Sequence, residues 1–256
     1  MYTVNKQKGC FPAGTRIITE QGLVPIQDIK VGDMVLSKPE SGEGELCYKP
    51  VISTASYEDK EIWDLWYFEI KANTNLAQLN KDKLLRLSRK GKLNGIAATP
   101  NHLFWVKDIG WTRLDKLKNG QTLRTHDEET FALILMVSPL RRTTLLNVAG
   151  SYHVRNILDA ERKGFDADDV EYFDLCEYDE TGLYKILGCD VSSPFNVNHQ
   201  EIHVLTGTFH QKVYNFEVAD HQTYFITEKG LWVHDTNCVD IPSDLLPYNL
   251  ANHFES

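Results

Sequence analysis

Cysteine is scarce in this chain: five in 256 residues, at positions 10, 47, 176, 189 and 238. The count is odd, no two form a Cys-x-x-Cys pair and no spacing suits zinc, so at least one thiol stays unpaired and no cysteine-built metal site is expected. Basic residues are also few. Lys and Arg number 27 against 36 Asp and Glu, a net charge of -9 spread along the chain, which leaves no electrostatic footprint for nucleic acid or an anionic membrane. No apolar run approaches the length of a membrane-spanning helix, and the opening "MYTVNKQKG" lacks the apolar centre of a signal peptide, so no targeting address is legible. Internal repeats, low-complexity tracts and Pro-rich linkers are missing as well. What the chain does have is 42% hydrophobic residues, enough to bury a core over one or two domains without disulfides or a metal.

Both flanks read as β structure. "TRIITEQGLVPIQDIKVGDMVLS" sets β-branched residues between turn signals at Gly22 and Gly32, and "CYKPVISTASYEDKEIWDLWYFEIK" continues the pattern. "LLRLSRKGKLNGIAATPNHLFWV" reads as two strands around a turn near Lys90 to Lys92, with a short helix marked by leucines 76, 79, 84 and 87 as the alternative. After Lys212, "VYNFEVADHQTYFITEKGLWVH" is strand, polar turn, strand, turn and last strand. The middle, about 138 to 210, differs: a weakly helical "YHVRNILDAERKGF", an acidic run and a hairpin-like stretch around Asp179 to Gly182 look inserted between two β halves. The expectation is an all-β fold carrying a mixed α/β insertion.

Four short groups carry chemistry: "GCFPAGT", "ATPNHLFWV", "ADHQTYFI" and "WVHDTNC". If the β flanks bring them to one site, the substrate is the chain's own backbone. A Cys10 thiolate can attack the carbonyl of Gly9 and turn an amide into a thioester, which is easier to break. Because a planar amide resists this, its nitrogen must be protonated and the tetrahedral oxyanion stabilised; Thr99 and His102 suit that task. The side-chain amide nitrogen of Asn237 can attack its own main-chain carbonyl and cut before Cys238, with His221 and His234 supplying the proton and polarising the carbonyl. Taken singly each group is weak, since a cysteine near a terminus is usually an inert apolar residue and a histidine in a turn is usually solvated. Their conjunction and order are what count. "HQEIH" at 199 to 203 would bring two histidines together only on a helix, and strand is the better reading there, so neither a metal nor a cofactor is expected.

These blocks resemble the Hint superfamily: inteins, hedgehog autoprocessing domains, and bacterial intein-like and pretoxin Hint domains. "GCFPAGTRIITEQGLVPIQDIKVGDMVLS" resembles the amino-terminal splicing block, "GIAATPNHLFWVKDIGWTRLDKLKNGQTL" the second block, and "VYNFEVADHQTYFITEKGLWVHDTNC" the carboxyl-terminal blocks, closest to the pretoxin type. Residues 9 to 137 and 211 to 238 are covered. The resemblance implies a horseshoe-like, pseudo-twofold fold over residues 10 to 237, flanked by substrate segments 1 to 9 and 238 to 256. It also implies catalysis by Cys10, Thr99, His102, His221, His234, Asn237 and Cys238, with Cys238 taking the acyl group in splicing. The partners are the flanking polypeptides themselves; in the pretoxin type the downstream one would be a toxin released by cleavage.

Three features depart from the pattern. Thr236 stands where inteins usually carry histidine before the terminal asparagine. Aligning on "WVHD" puts Asp235 where pretoxin domains carry asparagine, so cleavage after Asp235 competes with cleavage after Asn237, which ranks first because Cys238 follows it. The insertion is too short for a homing endonuclease and lacks that enzyme's paired acidic motif. Two other classes remain: an inactive Hint-fold connector or binding module, and a cysteine hydrolase acting on other molecules, which would leave the Gly9–Cys10 and Asn237–Cys238 pairings unexplained. Hedgehog-like sterol transfer is disfavoured, since no sterol-recognition extension follows.

Overall fold

The computed structural model describes residues 9–80, 93–152, 170–180, 184–189 and 202–235, with single positions 83, 84, 86 and 182. Among them the fold is all-β. Helix is limited to three-residue turns at Ile26–Asp28, Leu76–Gln78 and Leu114–Lys116 and to residues 83, 84 and 86. Leu84 and Arg86 are thus helical rather than the first of the two strands expected around Lys90 to Lys92; the second of those strands forms.

The main sheet is a single antiparallel path. In spatial order it runs β1 (Phe11–Pro12), β17 (His210–Val218), β5 (Cys47–Glu61), β4 (Met34–Ser37), β2 (Arg16–Thr19), β18 (Thr223–Ile226), β19 (Leu231–His234), β8 (Leu103–Val106), β10 (Thr122–Arg124), β11 (Thr130–Pro139), β6 (Trp63–Lys71) and β7 (Leu93–Ala98). β3 (Gly22–Pro25) hangs on β2, and β9 (Gly110–Arg113) on β8. Period-two alternation builds three of its inner members: "RIIT", "MVLS" and "LFWV" each bury every second residue. "TYFI" of β18 is buried throughout, as a strand covered on both faces must be. The core gathers Phe11, Ile17, Val35, Leu65, Phe104, Tyr224, Leu231 and Val233 between the two arms of this path. β5 and β6, consecutive in sequence, lie far apart in the spatial order and join its two halves through Ile62. The path also closes on itself: Thr99, just past β7, donates its N–H to the carbonyl of Cys10, just before β1, at 2.9 Å.

A second sheet lies between Leu140 and Phe209, ordered β15 (Tyr184–Cys189), β14 (Val170–Tyr178), β13 (Val148–Tyr152), β12 (Arg141–Thr143) and β16 (Val204–Thr208). Its neck is three backbone bonds, Leu140 N–H to Ile62 O (3.0 Å), Ile62 N–H to Phe209 O (3.0 Å) and Phe209 N–H to Leu140 O (2.7 Å). The described part of this segment is strand, and the expected hairpin at Asp179 to Gly182 is present, closed by Gly182 N–H on Asp179 O at 3.0 Å. The stretch expected to be weakly helical lies outside the described residues except for Tyr152. No helix among the described residues is long and apolar enough to cross a membrane.

Asp64 pins the two sheets together. Its buried carboxylate accepts from Ser138 Oγ at 2.8 Å, Trp66 Nε1 at 2.9 Å and Ser151 Oγ of β13. Burial raises its pKa above the usual carboxylate range, and the hydrogen bonds from Ser151, Ser138 and Trp66 only partly oppose this. The folded state therefore holds the Asp64 proton more tightly than the unfolded chain does, so this group's contribution favours folding increasingly as pH falls through the raised pKa toward 3.8. Asp64→Leu would strand two buried hydroxyl donors and the partly buried Trp66 N–H. Urea unfolding at pH 7 should show a loss of about 2–4 kcal/mol for Asp64→Leu and less for Asp64→Asn, which retains an acceptor.

Candidate active site

Cys10, Thr99 and His102 meet where the sheet path closes. The Cys10 N–H, which belongs to the Gly9–Cys10 peptide, donates to Thr99 Oγ1 at 2.8 Å. The same hydroxyl lies 3.3 Å from the Cys10 carbonyl. Thr99 and His102 are the ends of a turn closed by His102 N–H on Thr99 O at 3.1 Å, with Pro100 in the second place and Asn101 in the third, the residues such turns favour. Leu114 N–H on His102 O (2.8 Å) and Asp115 N–H on Pro100 O (2.9 Å) brace it from behind.

His102 is completely buried, its ring 4.1 Å from that of Phe11 and 5.6 Å from that of Phe104. Neither ring nitrogen makes a hydrogen bond of good geometry among the described residues, although the Gly9 backbone is close enough to favour the protonated ring. Burial dominates, with a smaller push from His234, and the pKa falls from 6.5 to about 3. His102 is therefore neutral at pH 7. Once protonated, a ring of so low a pKa is a strong acid toward an amide nitrogen.

A second cluster forms where the chain leaves β19. His234 is nearly buried, with Nε2 at 3.0 Å from Glu40 Oε2, Nδ1 at 3.6 Å from Asp235 Oδ1, and its ring edge-on to Trp111 at 5.1 Å. Trp111 itself donates Nε1–H to the Glu40 carbonyl at 3.0 Å, so one loop braces both rings. Asp235 is 3% exposed; its carboxylate accepts from Val218 N–H at 2.8 Å, and its main-chain carbonyl accepts from Asn215 Nδ2 at 2.8 Å. Asn215 cannot turn its amide round, because Oδ1 is taken by Phe216 N–H at 2.8 Å and lies 3.5 Å from the Tyr224 hydroxyl.

The two clusters adjoin. β1 pairs with β17 with Phe11 opposite Tyr214, so one step further Cys10 stands opposite Asn215. The Tyr224 hydroxyl, its pKa raised well above 10 chiefly by burial, also feels Asp235 and Cys10 as nearby charges. Amino-terminal and carboxyl-terminal groups thus converge on Asn215 and Tyr224.

Among the described residues, His221 has its own set of partners, shared with neither of the other two histidines. Its Nδ1 is 3.2 Å from Ser37 Oγ and 4.0 Å from Cys47 Sγ, and burial followed by the Lys49 charge lowers its pKa. The ladder pairs Thr223 with His234, and Asp235 N–H donates to Gln222 O at 2.8 Å, which sets His221 just past the end of β19. Asn237 and Cys238 lie outside the described residues. Sequence reading missed Asn215 and Glu40. For Asn215 a signal existed, an amide in step with the buried Val213 and followed by the apolar pair Phe216 and Val218 of β17; for Glu40, in a polar loop, there was none. No group of three or more His, Cys, Asp or Glu among the described residues could hold a metal ion.

No protein-family model and no curated protein matches the chain. Similar solved structures include a bacterial intein-like domain from Clostridium thermocellum, 21% identical, covering 88% of this chain and 97% of that one at a TM-score of 0.46. The DnaB intein from Synechocystis sp. PCC 6803 is 13% identical over 89% of this chain and 99% of that one, TM-score 0.45. The gp41-1 intein is 15% identical over 89% and 99%, TM-score 0.42.

Proposed function

We propose that the chain is a Hint-type autoprocessing domain that breaks its own backbone at Gly9–Cys10. The observation that carries this reading is the 2.8 Å hydrogen bond from the scissile N–H to Thr99 Oγ1 beside a buried, neutral His102. Cys10 Sγ adds to the Gly9 carbonyl carbon as His102 takes the thiol proton. His102 then hands that proton to the Cys10 nitrogen, the C–N bond breaks, and a thioester joins Gly9 to Cys10. Thr99 holds the plane of the peptide so that its nitrogen faces the arriving proton. At the other end Asn237 cyclises before Cys238; if Cys238 has already taken the acyl group the outcome is splicing, and otherwise it is cleavage.

A second reading of the carboxyl-terminal cut is favoured by the Asn215 bond to the Asp235 carbonyl. An Asp235 carboxylate oxygen adds to that carbonyl carbon, Asn215 Nδ2 steadies the oxyanion, and protonated His234 gives its proton to the departing Thr236 nitrogen. A five-membered cyclic anhydride results, which water reopens to aspartate. Intact mass of the freshly purified chain against time at neutral pH, with and without dithiothreitol, tests all of this. Release of residues 1 to 9 that needs Cys10 supports the first step. A carboxyl-terminal fragment beginning at Cys238 and lost in Asn237→Ala supports asparagine cyclisation, and one beginning at Thr236 and lost in Asp235→Ala supports the anhydride route. An unchanged mass over days in every sample sinks autoprocessing and leaves the inactive connector.

A further inference from the structure

We propose that the inserted sheet is the wall that keeps water and external thiols off the Gly9–Cys10 junction. Its chemical purpose rests on the autoprocessing reading; its existence as a barrier does not. Cys10 is 0% exposed, and its apolar cluster is shared between the main sheet, with Ile62, Ala97 and Val213, and the inserted segment, with Leu140, Ala149, Leu175 and Phe209. Tyr184 packs against the same cluster and donates its hydroxyl to the Ala13 carbonyl at 3.1 Å, three residues from the nucleophile.

The hairpin of β14 and β15 is fitted to the loop that follows Cys10. Gly14 has φ +90° and lies under the Tyr178 ring so closely that a Cβ there would fall 2.6 Å from it. A Cβ on Gly182, at the tip of the hairpin, would fall 2.6 Å from the Gly14 carbonyl. Gln27 bridges the two parts, accepting from Gly14 N–H at 2.9 Å and donating to the Tyr178 hydroxyl at 2.6 Å. Arg16 donates Nη2–H to Asp179 O at 2.8 Å. Glycine at both points of closest approach, with three polar ties around them, makes this a built contact.

The barrier matters once the thioester exists. Water would add to the Gly9 carbonyl carbon and expel Cys10 Sγ, which leaves with a proton as the free thiol; an external thiol would take the acyl group by the same displacement. Both need a path to a carbon bonded to the nitrogen of Cys10, the residue whose side chain the inserted segment helps to bury. A shielded thioester is reserved for an acceptor within the chain.

Iodoacetamide labelling of the full-length chain, read at the Cys10 peptide by mass spectrometry, tests the barrier independently of any cleavage, with exposed Cys176 as internal reference. Leu175→Ala and Tyr184→Ala should each speed Cys10 labelling about tenfold or more, because both thin the wall. Leu146→Ala, in the same segment but 95% exposed, should not change it. Tyr184→Phe keeps the ring and drops only the tie to Ala13, so it serves even if the alanine variants fail to fold; it should give about a threefold rise. Cys10 labelling at the original rate in Tyr184→Phe and in every folded alanine variant overturns the proposal. Absence of cleavage in all samples, with labelling still faster, would leave the barrier standing and count against autoprocessing alone.

Discussion

Cys10→Ala should leave residues 1 to 9 attached for as long as the chain stays folded, a fall in the amino-terminal cleavage rate of at least about a thousandfold, because alanine offers no atom to accept the acyl group. The substitution is a mild one structurally. Cys10 sits in an apolar cluster, its peptide N–H and carbonyl make the bonds to Thr99, and alanine keeps both of those backbone groups. Stability should therefore change by no more than the loss of one small buried side chain, and circular dichroism melts beside the mass measurement would separate lost chemistry from lost fold. Hydroxylamine gives a positive counterpart: by capturing the thioester it should cleave Tyr184→Phe after Gly9, faster than it cleaves the shielded native chain, and do nothing to Cys10→Ala. Equal release of residues 1 to 9 from both proteins would mean that a protease, not Cys10, makes the cut.

His102 should show the second large effect, in two separate measurements. His102→Gln should slow cleavage at Gly9–Cys10 by about 10²- to 10⁴-fold, the usual range for a positioned proton-transfer group. The same variant should also lose part of the native chain's acid sensitivity. Because burial holds the folded-state pKa at about 3 while the unfolded chain titrates near 6.5, only the unfolded chain takes up this proton between those values. Stability present above pH 6.5 is therefore lost as pH falls toward 3, at up to about 1.4 kcal/mol per pH unit for this group. Urea midpoints at pH 7, 6, 5 and 4 should descend more steeply for the native chain than for His102→Gln. Parallel descents would mean that the ring is hydrated and titrates normally.

The local strand pattern was legible because period-two alternation and the turn glycines are local signals. "RIIT", "MVLS" and "LFWV" became strands as read, and the β-turn of Thr99 to His102 follows from Pro100 and Asn101. Less legible was anything set by pairing across long separations. Nothing local says that β17 inserts between β1 and β5, yet that pairing alone brings Asn215 opposite Cys10. The short helix weighed as the alternative around the leucines from 76 to 87 begins as a three-residue turn capped by Asn75, whose side chain accepts from Ala77 N–H at 3.1 Å. Of the candidate site, Cys10, Thr99 and His102 were picked out from residue type and order, and in the structure Thr99 hydrogen-bonds both the Cys10 backbone and the His102 N–H. The ranking of Asn237 over Asp235 used only the neighbouring Cys238. It could not weigh the burial of Asp235 or the amide of Asn215, both of which depend on strands that lie far apart in the sequence.

The closure of the sheet path has a consequence for timing during synthesis. Cys10 leaves the ribosome 89 residues ahead of its hydrogen-bond partner Thr99. The strand opposite Cys10 and the strand carrying His234 come later still, and neither can dock until about two hundred residues beyond Cys10 have been made. Contacts of such sequence separation form late and slowly. Until they form, Cys10 has neither a desolvated histidine nor a fixed peptide plane, and it is an ordinary thiol on an ordinary amide. Under the proposed autoprocessing, completion of the fold is thus the clock: a nascent chain could not cut itself before everything needed for the cut has been translated.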